Sequence, residues 1–474
     1  MHVPPVPGTT DANQNSSLTP GFKQRHVTMI SIAGVIGAGL FVASGRAIAA
    51  AGPASILAYL VAGLLVVLVM RMLGEMAVAS PDTGSFSTYA DRAIGNWAGF
   101  TIGWLYWWFW VLVTPLEAIA AGTILNSYVP SVDVWMFSLS IIALLTVTNL
   151  TSVQKYGEFE FWFAMLKVVS IIAFIAFGAA AIAGLVPTAN VSGVARLARE
   201  NGGLMPNGFG AVVGALLTTI FSFMGTEVIT IAAAESTNPA QQISKATRSV
   251  IWRICIFYLG SIFVVISVVP WNDPLLPLHG SYQRALELLH VPYAKTIIDI
   301  VVLVAVASCL NSAIYISSRM LFSLSKRGDA PVRFGRTSGK GVPHAAVLGS
   351  TVIGIMVTAS NFFAPSAVFA FLLSGSGAIA LLVYLVIAVS QLRMRSTLAG
   401  NAAHIECRMW LFPYLTWAVI LVISTVLVLM ILLPDHRYEV MSTGALAASI
   451  TAIGLLRSKR LADPAVTAPA TRTE

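Results

Sequence analysis

Long apolar runs dominate the chain, and short polar stretches separate them. A helix needs about 20 apolar residues to cross roughly 30 Å of hydrocarbon, whereas a membrane strand alternates apolar and polar positions. These runs are continuous, so they predict an all-α integral membrane protein with twelve transmembrane helices. The predicted spans cover about 27–48, 53–79, 97–126, 133–152, 159–186, 210–235, 249–271, 293–323, 344–363, 366–391, 408–433 and 437–456.

Glycines interrupt two of these spans. Span one contains GVIGAG at 34–39, and span six, five spans later, contains FSFMGTE at 221–227. Because five is odd, a second set of five helices would lie upside down relative to the first. Paired interrupted helices in two inverted halves are typical of transporter binding sites. We therefore expect a 5+5 inverted repeat over 23–192 and 205–396, with two extra C-terminal helices at 405–457.

The two ends of the chain are polar. Residues 1–22 lack the basic start, apolar core and small-residue cleavage site of a signal peptide. We interpret 1–22 as a disordered cytoplasmic tail and 458–474 as a second cytoplasmic tail.

Composition excludes several classes of protein. Charged residues make up 10% of the 474 residues, and hydrophobic residues make up 57%. A soluble domain carries about 25% charged residues, so this chain cannot cover a soluble surface of its own size. A soluble enzyme, a disordered protein and a nucleic-acid-binding domain are therefore excluded. The three cysteines are too few for a disulfide scaffold.

The net charge of +8 indicates how the chain is oriented in the membrane. Twenty-one of the 28 lysines and arginines fall on one predicted membrane side, six fall on the other, and Lys167 lies inside span five. Basic residues concentrate on the cytoplasmic side of membrane proteins, so both termini are predicted to be cytoplasmic. The six residues on the opposite side are Arg46, Arg196, Arg199, Arg284, Lys295 and Arg437.

The glycines of span one allow two interpretations. They can serve close helix packing, since small residues recur at membrane helix contacts. Alternatively they unwind the helix, because each glycine weakens it by about 1 kcal/mol relative to alanine. Unwinding around Gly37 would direct the amides of Ala38 and Gly39 at a carboxylate and leave carbonyls near Gly34 and Val35 for an ammonium group. The matching interruption in span six favours unwinding and a zwitterionic ligand.

Span six combines a flexible residue with large apolar ones. Gly225 permits the interruption, and Phe221, Phe223 and Met224 would form the wall of a pocket. The alternative is that these side chains face lipid or the core. Glu227 follows directly, and an acid at membrane depth is a functional candidate because its burial is costly. It would handle protons or cap the backbone amides that the interruption frees.

Two further charges lie deep in the predicted spans. Lys167 is about eight residues into span five, or about 12 Å deep at 1.5 Å per residue. It could extend back to the interface. A desolvated lysine can instead exchange protons near neutral pH, so we predict a proton-coupling role. Glu117 follows the helix-kinking Pro115 and would pair with Lys167 or relay a proton.

The remaining polar residues carry weaker indications. Asn311 and Ser312 lie inside span eight and would line the substrate path or hydrogen-bond to a neighbouring helix. The sequence contains no GxxxxGKS/T phosphate loop, no HExxH or CxxC metal spacing and no convincing GxSxG nucleophile. We therefore expect no enzyme activity, no cofactor and no metal site.

Several long runs resemble the amino-acid permeases of the amino acid/polyamine/organocation superfamily, and most closely the bacterial 4-aminobutyrate (GABA) permeases. The likeness covers about 20–456. It is carried by SIAGVIGAGLFV, LLVVLVMRMLGEMAVASPDTGSFSTYAD, IGWLYWWFWVLVTPLEA, YGEFEFW, FSFMGTEVITIAAAES, SCLNSAIY and SGAIALLVYLVIAVSQLRMR.

The resemblance implies a leucine-transporter-type 5+5 inverted repeat with alternating access. It implies that the substrate carboxylate meets the amides of Ala38 and Gly39. The ammonium group would meet carbonyls at Val35 and at Phe221 or Met224. Relatives often have serine at the position of Ala38, so a hydroxyl contact is absent here while the backbone contact remains.

The resemblance also implies proton coupling, with Lys167 where some relatives keep a lysine in place of a sodium ion. We therefore expect a proton symporter in the plasma (inner) membrane that imports a zwitterionic amino acid, and we expect this amino acid to be GABA. Its partners would be the amino acid, the proton and the bilayer, and not nucleic acid; the oligomeric state stays open. The alternatives are a permease for β-alanine, proline or an aromatic amino acid, an exchanger without proton coupling, and a membrane sensor that does not transport.

Overall fold

The computed structural model describes residues 24–30, 36–151, 153–186, 193, 203–236, 238–339, 341–360, 365–398, 407–432 and 434–462. The predicted tail 1–22 and the predicted site residues Gly34 and Val35 lie outside these residues. The described part of the chain is helical and contains no β-strand.

Eighteen α-helices follow one another in the described residues. Short π-helical turns precede α2 (Gly39–Ala43) and α11 (Ile254–Gly260). The helices are α1 Gln24–Met29, α2 Ser44–Ala51, α3 Ser55–Ala79, α4 Phe86–Ala93, α5 Asn96–Tyr128, α6 Val134–Thr151, α7 Val153–Ile182, α8 Gly208–Phe223, α9 Val228–Ala234, α10 Pro239–Arg253, α11 Ser261–Val268, α12 Leu276–His279, α13 Ser281–Leu288, α14 Ala294–Lys326, α15 His344–Ser360, α16 Pro365–Leu398, α17 Tyr414–Leu432 and α18 Pro434–Ala462.

Ten helical stretches of the described chain are long and apolar enough to cross a membrane. One of them, Gly39–Ala79, covers parts of the first two predicted spans, because the chain turns at Gly52 without a long connection. Gly52 has a φ of +68°, a conformation that glycine adopts without steric cost. The ninth predicted span is represented by α15, a shorter apolar helix. α18 continues to Ala462, into the stretch predicted as a tail.

The long helices α5 and α14 form the centre of the bundle and pack against each other along much of their length. Both are apolar around most of their circumference, as expected for helices buried on all sides. α5 continues through Pro115, the residue predicted to kink it. α7 packs on α14, and α8 packs on α3, so these helices surround the region that contains the predicted site.

Ion pairs whose acids are buried join helices at the end of the bundle where α3 and α9 finish. Glu75 of α3 binds Arg395 of α16. Glu235, just after α9, lies 3.3 Å from Arg319 of α14, and both side chains are almost fully buried. A buried charge loses its solvation by water. The attraction of an opposite charge offsets this loss only when the two charges meet closely, as they do in these pairs. Both acids therefore serve helix–helix contacts.

Candidate functional site

The helix predicted for span six is interrupted. α8 ends at Phe223 and α9 begins at Val228, so the intervening residues lie outside regular helix. Gly225 has a φ of +96°, a region that favours glycine because a Cβ there would clash with the backbone. The interruption leaves backbone amides and carbonyls in the protein interior, where each needs a partner.

Glu227 provides one of these partners. Its carboxylate accepts hydrogen bonds from the Gly225 amide at 3.0 and 3.1 Å. The Tyr106 hydroxyl of α5 donates a further hydrogen bond to it at 2.9 Å. Glu227 is fully buried. Glu227 thus pairs with a backbone amide that the interruption frees, as the sequence left open.

The glycines of span one allow close contact with neighbouring helices. A Cβ added to Gly37 would lie 2.6 Å from Glu117 Oε1, and one added to Gly39 would lie 2.8 Å from Ser222 Cα. The Gly39 carbonyl accepts a hydrogen bond from Ser222 Oγ at 2.8 Å. Close packing and irregular helix therefore occur together here, because Gly39–Ala43 form a π-helical turn.

The Ala38 amide already holds a carboxylate. Its N–H donates to both oxygens of Glu117 at 3.1 and 3.2 Å. The sequence predicted that this amide would be open to the carboxylate of a ligand. The geometry predicted for an anion is present, but a side chain of the protein occupies it. The pair with Lys167 and the alternative proton relay stay predictions for Glu117.

A small cavity lies between the two irregular segments. Its volume of about 10 Å³ has room for about one water molecule. Four predicted site residues and Glu117 form part of its wall, and sequence reasoning missed the others. The lining residues are Gly37, Gly39, Phe109, Trp110, Val113, Glu117, Phe221, Ser222, Met224 and Cys309. An amino acid is several times larger than a water molecule, so its entry requires these side chains to move.

Three predicted site residues face other neighbours. The ring of Phe223 packs on Tyr258 with 4.4 Å between centroids, so the apolar-core interpretation describes its position. Asn311 Oδ1 accepts a hydrogen bond from Asn149 Nδ2 of α6 at 2.7 Å. Ser312 Oγ lies 3.0 Å from the Tyr156 hydroxyl of α7. These contacts are the helix-to-helix hydrogen bonds that the sequence left as an alternative.

Lys167 points into the bundle and does not reach the membrane surface, because its side chain is 0% exposed. Nζ donates to the Ile36 carbonyl at 3.1 Å and to Ser308 Oγ at 2.7 Å. The acid near its ammonium group is Glu160, with 3.9 Å between Nζ and Oε1. Lys167 thus connects α7 to span one and to α14.

Sequence reasoning missed Glu160, although its position contained the necessary signal. Glu160 and Lys167 are separated by two helical turns on α7 and therefore project from one face. Within YGEFEFW, Glu158 is half-exposed and binds Arg25, whereas Glu160 is buried. Helical spacing from Lys167 distinguishes the two acids.

A second cavity of about 1020 Å³ lies at the opposite end of the bundle from the ion pairs with buried acids. On α5 its wall begins at Ile119 and Ala120, one turn beyond Glu117, and on span one it includes Phe41. Leu40 is the residue between Phe41 and the small cavity at Gly39. On span one, the linings of the two cavities are thus separated by one buried residue.

Charged groups surround the large cavity. Lys295 donates to Asp299, which also accepts a hydrogen bond from the Tyr128 hydroxyl. Partial burial acts to raise the pKa of Glu287 on α13, but hydrogen bonds to its carboxylate outweigh this effect and hold the pKa below its ordinary value. The donors are Gln283, His279 and Arg284. Glu287 therefore remains ionised at neutral pH.

Comparison with known proteins agrees with this architecture. The fold is similar to that of a mutant Eremococcus coleocola manganese transporter in a crystal structure, with a TM-score of 0.60 over 95% of this chain and 100% of that chain, at 11% identity. This similarity concerns the fold alone.

The chain belongs to the amino acid permease family, whose sequence pattern matches residues 26–456. It is 68% identical to a probable GABA permease of Pseudomonas aeruginosa, over 94% of each chain. It is 61% identical to the gamma-aminobutyric acid permease of Escherichia coli K12, over 93% of this chain and 94% of that one. The family resemblance seen in the sequence is thereby confirmed.

Proposed function

We propose that the chain is a proton symporter that imports a zwitterionic amino acid across the plasma (inner) membrane. The proposed substrate is GABA. The observation that carries the proposal is the Ala38 amide, which binds a carboxylate beside the interrupted helix. The names of the two bacterial relatives support GABA as the substrate. The proposal includes twelve helices in a 5+5 inverted repeat with two C-terminal helices, and cytoplasmic termini.

The substrate carboxylate would replace Glu117 at the Ala38 amide. Two carboxylates this close cannot both remain ionised, so Glu117 must take up a proton or move away. The ammonium group would meet backbone carbonyls freed at the interruption, at Phe221 or Met224. Substrate binding and proton uptake are then linked, because one amide serves two competing anions.

The large cavity supports entry from outside. Its wall includes Asp133, Pro277 and Lys295, which lie on the side opposite the predicted cytoplasmic face. The Glu235–Arg319 pair closes the other end. Alternating access would open that end after the outer path closes, since a substrate favours the state that binds it better.

Uptake of labelled GABA into proteoliposomes tests the proposal. A gradient of one pH unit stores about 1.4 kcal/mol per proton, equal to about tenfold accumulation at one proton per substrate. We expect accumulation of this order with an inward proton gradient and no effect of sodium. If labelled GABA enters only when the vesicles are preloaded with amino acid, the protein is an exchanger. If the protein binds GABA but does not transport it, the protein is a sensor. Competition by β-alanine, proline and aromatic amino acids measures the substrate range.

Glu227 provides a separate prediction. We expect Glu227→Gln to retain uptake within about threefold of wild type and Glu227→Ala to lower it at least about tenfold. Glutamine keeps an oxygen for the Gly225 amide, whereas alanine leaves that amide and the Tyr106 hydroxyl unpaired, which costs about 1–3 kcal/mol per group. Uptake normalised to protein in the membrane measures the effect. Equal losses in both variants would contradict the capping role and favour proton transfer by Glu227.

A further inference from the structure

Glu160 and Lys167 form a buried ion pair that the proposed function does not yet use. Both side chains are 0% exposed, and Lys167 Nζ lies 3.9 Å from Glu160 Oε1. Two opposite charges in the interior are retained only where they compensate each other. A proton exchanged within the pair would leave its total charge unchanged.

Ser308 of α14 connects the two charges through ordered hydrogen bonds. Its Oγ accepts a hydrogen bond from Lys167 Nζ at 2.7 Å and donates one to Glu160 Oε1. An ammonium group only donates and an ionised carboxylate only accepts, so the direction of the hydroxyl is determined by its neighbours. Glu160 Oε2 is buried and has no hydrogen-bond partner among the described residues. The carboxylate therefore retains capacity to bind a proton.

We propose that Glu160 receives the proton of Lys167 through the Ser308 hydroxyl and passes it toward the cytoplasmic end. The inference rests on the proposed proton symport and adds Glu160 to its proton-carrying residues. An N–H bond of Lys167 breaks as an O–H bond to Ser308 forms, while the original Ser308 O–H bond breaks and an O–H bond to Glu160 forms. The ion pair becomes a neutral amine and a neutral carboxylic acid.

This transfer would act on span one. Lys167 Nζ also donates to the Ile36 carbonyl at 3.1 Å. Hydrogen bonds from a charged donor are roughly twice as strong as neutral ones, so loss of the proton weakens the link between α7 and span one. Ile36 lies two residues before Ala38, whose amide binds the carboxylate. The proton on Lys167 can thereby influence the substrate site.

Polar groups continue from Glu160 toward the Glu235–Arg319 pair. Tyr156, one turn earlier on α7, is hydrogen-bonded to Ser312, and its ring stacks on Tyr315 at 4.5 Å. The Tyr315 hydroxyl donates to Glu235 at 2.7 Å. The titratable and charged groups around the Lys167–Glu160 pair are Tyr156 on α7, Cys309, Tyr315 and Arg319 on α14, Glu117 on α5 and His26 on α1.

Glu160→Gln, measured in two assays, tests the role of the acid. Proteoliposomes report gradient-driven GABA accumulation and, separately, exchange of labelled GABA against preloaded GABA. We expect accumulation to fall from about tenfold per pH unit to about onefold, with exchange within about threefold of wild type. A structural role would reduce both activities together. Ser308→Ala should produce the same split, because it removes the connection and retains the acid.

Glu158→Gln is the matched control, since it removes a carboxylate from the same helix at a side chain that is 39% exposed. It should retain both activities. Undiminished accumulation in Glu160→Gln, or parallel loss of both activities in Glu160→Gln and Ser308→Ala, would overturn the relay. Wild-type protein without gradient-driven accumulation would instead refute the proposed symport, so the two failures are distinguishable.

Discussion

Replacement of Lys167 by alanine is expected to abolish gradient-driven accumulation of GABA, from about tenfold per pH unit to about onefold. The side chain is fully buried and is bound to Ile36, Ser308 and Glu160. Alanine removes the group that we propose to carry the proton, and it removes the link between α7 and span one. Accumulation in proteoliposomes under an imposed pH gradient is the measurement.

Lys326→Ala serves as the control for this experiment, because Lys326 ends α14 with an exposed side chain. It should accumulate GABA as wild type does. Thermal unfolding in detergent separates loss of coupling from loss of structure, since Lys167→Ala also leaves Glu160 buried without its counter-charge. Accumulation that survives in Lys167→Ala would show that the proton follows another route.

Substitution of Gly39 by alanine should lower GABA uptake at least about tenfold. The added Cβ would lie 2.8 Å from Ser222 Cα and 3.1 Å from its Oγ. A backbone atom cannot move aside as a flexible side chain does, and overpacking of this kind costs about 1–3 kcal/mol. The added Cβ would push span one away from α8. This movement would displace the irregular segments that border the small cavity. Initial uptake rates, normalised to protein in the membrane, measure the effect.

Gly444→Ala is the corresponding control on α18, where an added Cβ meets no atom within 4 Å. It should transport at the wild-type rate, and the alanine should favour the helix slightly. Wild-type uptake by Gly39→Ala would mean that the close contact with Ser222 is not needed during transport.

The contact of Glu117 with the Ala38 amide is one that the sequence did not predict. The sequence identified Glu117 as a deep acid that would pair with Lys167 or relay a proton. In the structure its carboxylate binds the Ala38 amide, and Glu160 is the acid that meets Lys167. The types of residue were thus predicted, whereas the pairing was not. Pairing depends on how helices rotate against one another.

Span six likewise contains features that the sequence predicted and features that it did not. The interruption at Gly225 was predicted because glycine is locally unfavourable in helix and permits a positive φ. The directions of the three large apolar residues were predicted only in part. Phe221 and Met224 line the cavity, while Phe223 packs on Tyr258. Ser222, between the two phenylalanines, lines the cavity and had received no role.

The sequence alone determined the features that follow from local chemistry in a membrane. Continuous apolar runs must form helices there, because each backbone group needs an internal hydrogen bond. Glycine at 225 and lysine at 167 could likewise be assigned to an interrupted helix and a buried charge. Only the tertiary structure decided which groups meet: Ala38 with Glu117, and Lys167 with Ser308 and Glu160. A helix that is apolar on nearly every face carries little periodic indication of its rotation, so its polar contacts are determined by packing with its neighbours.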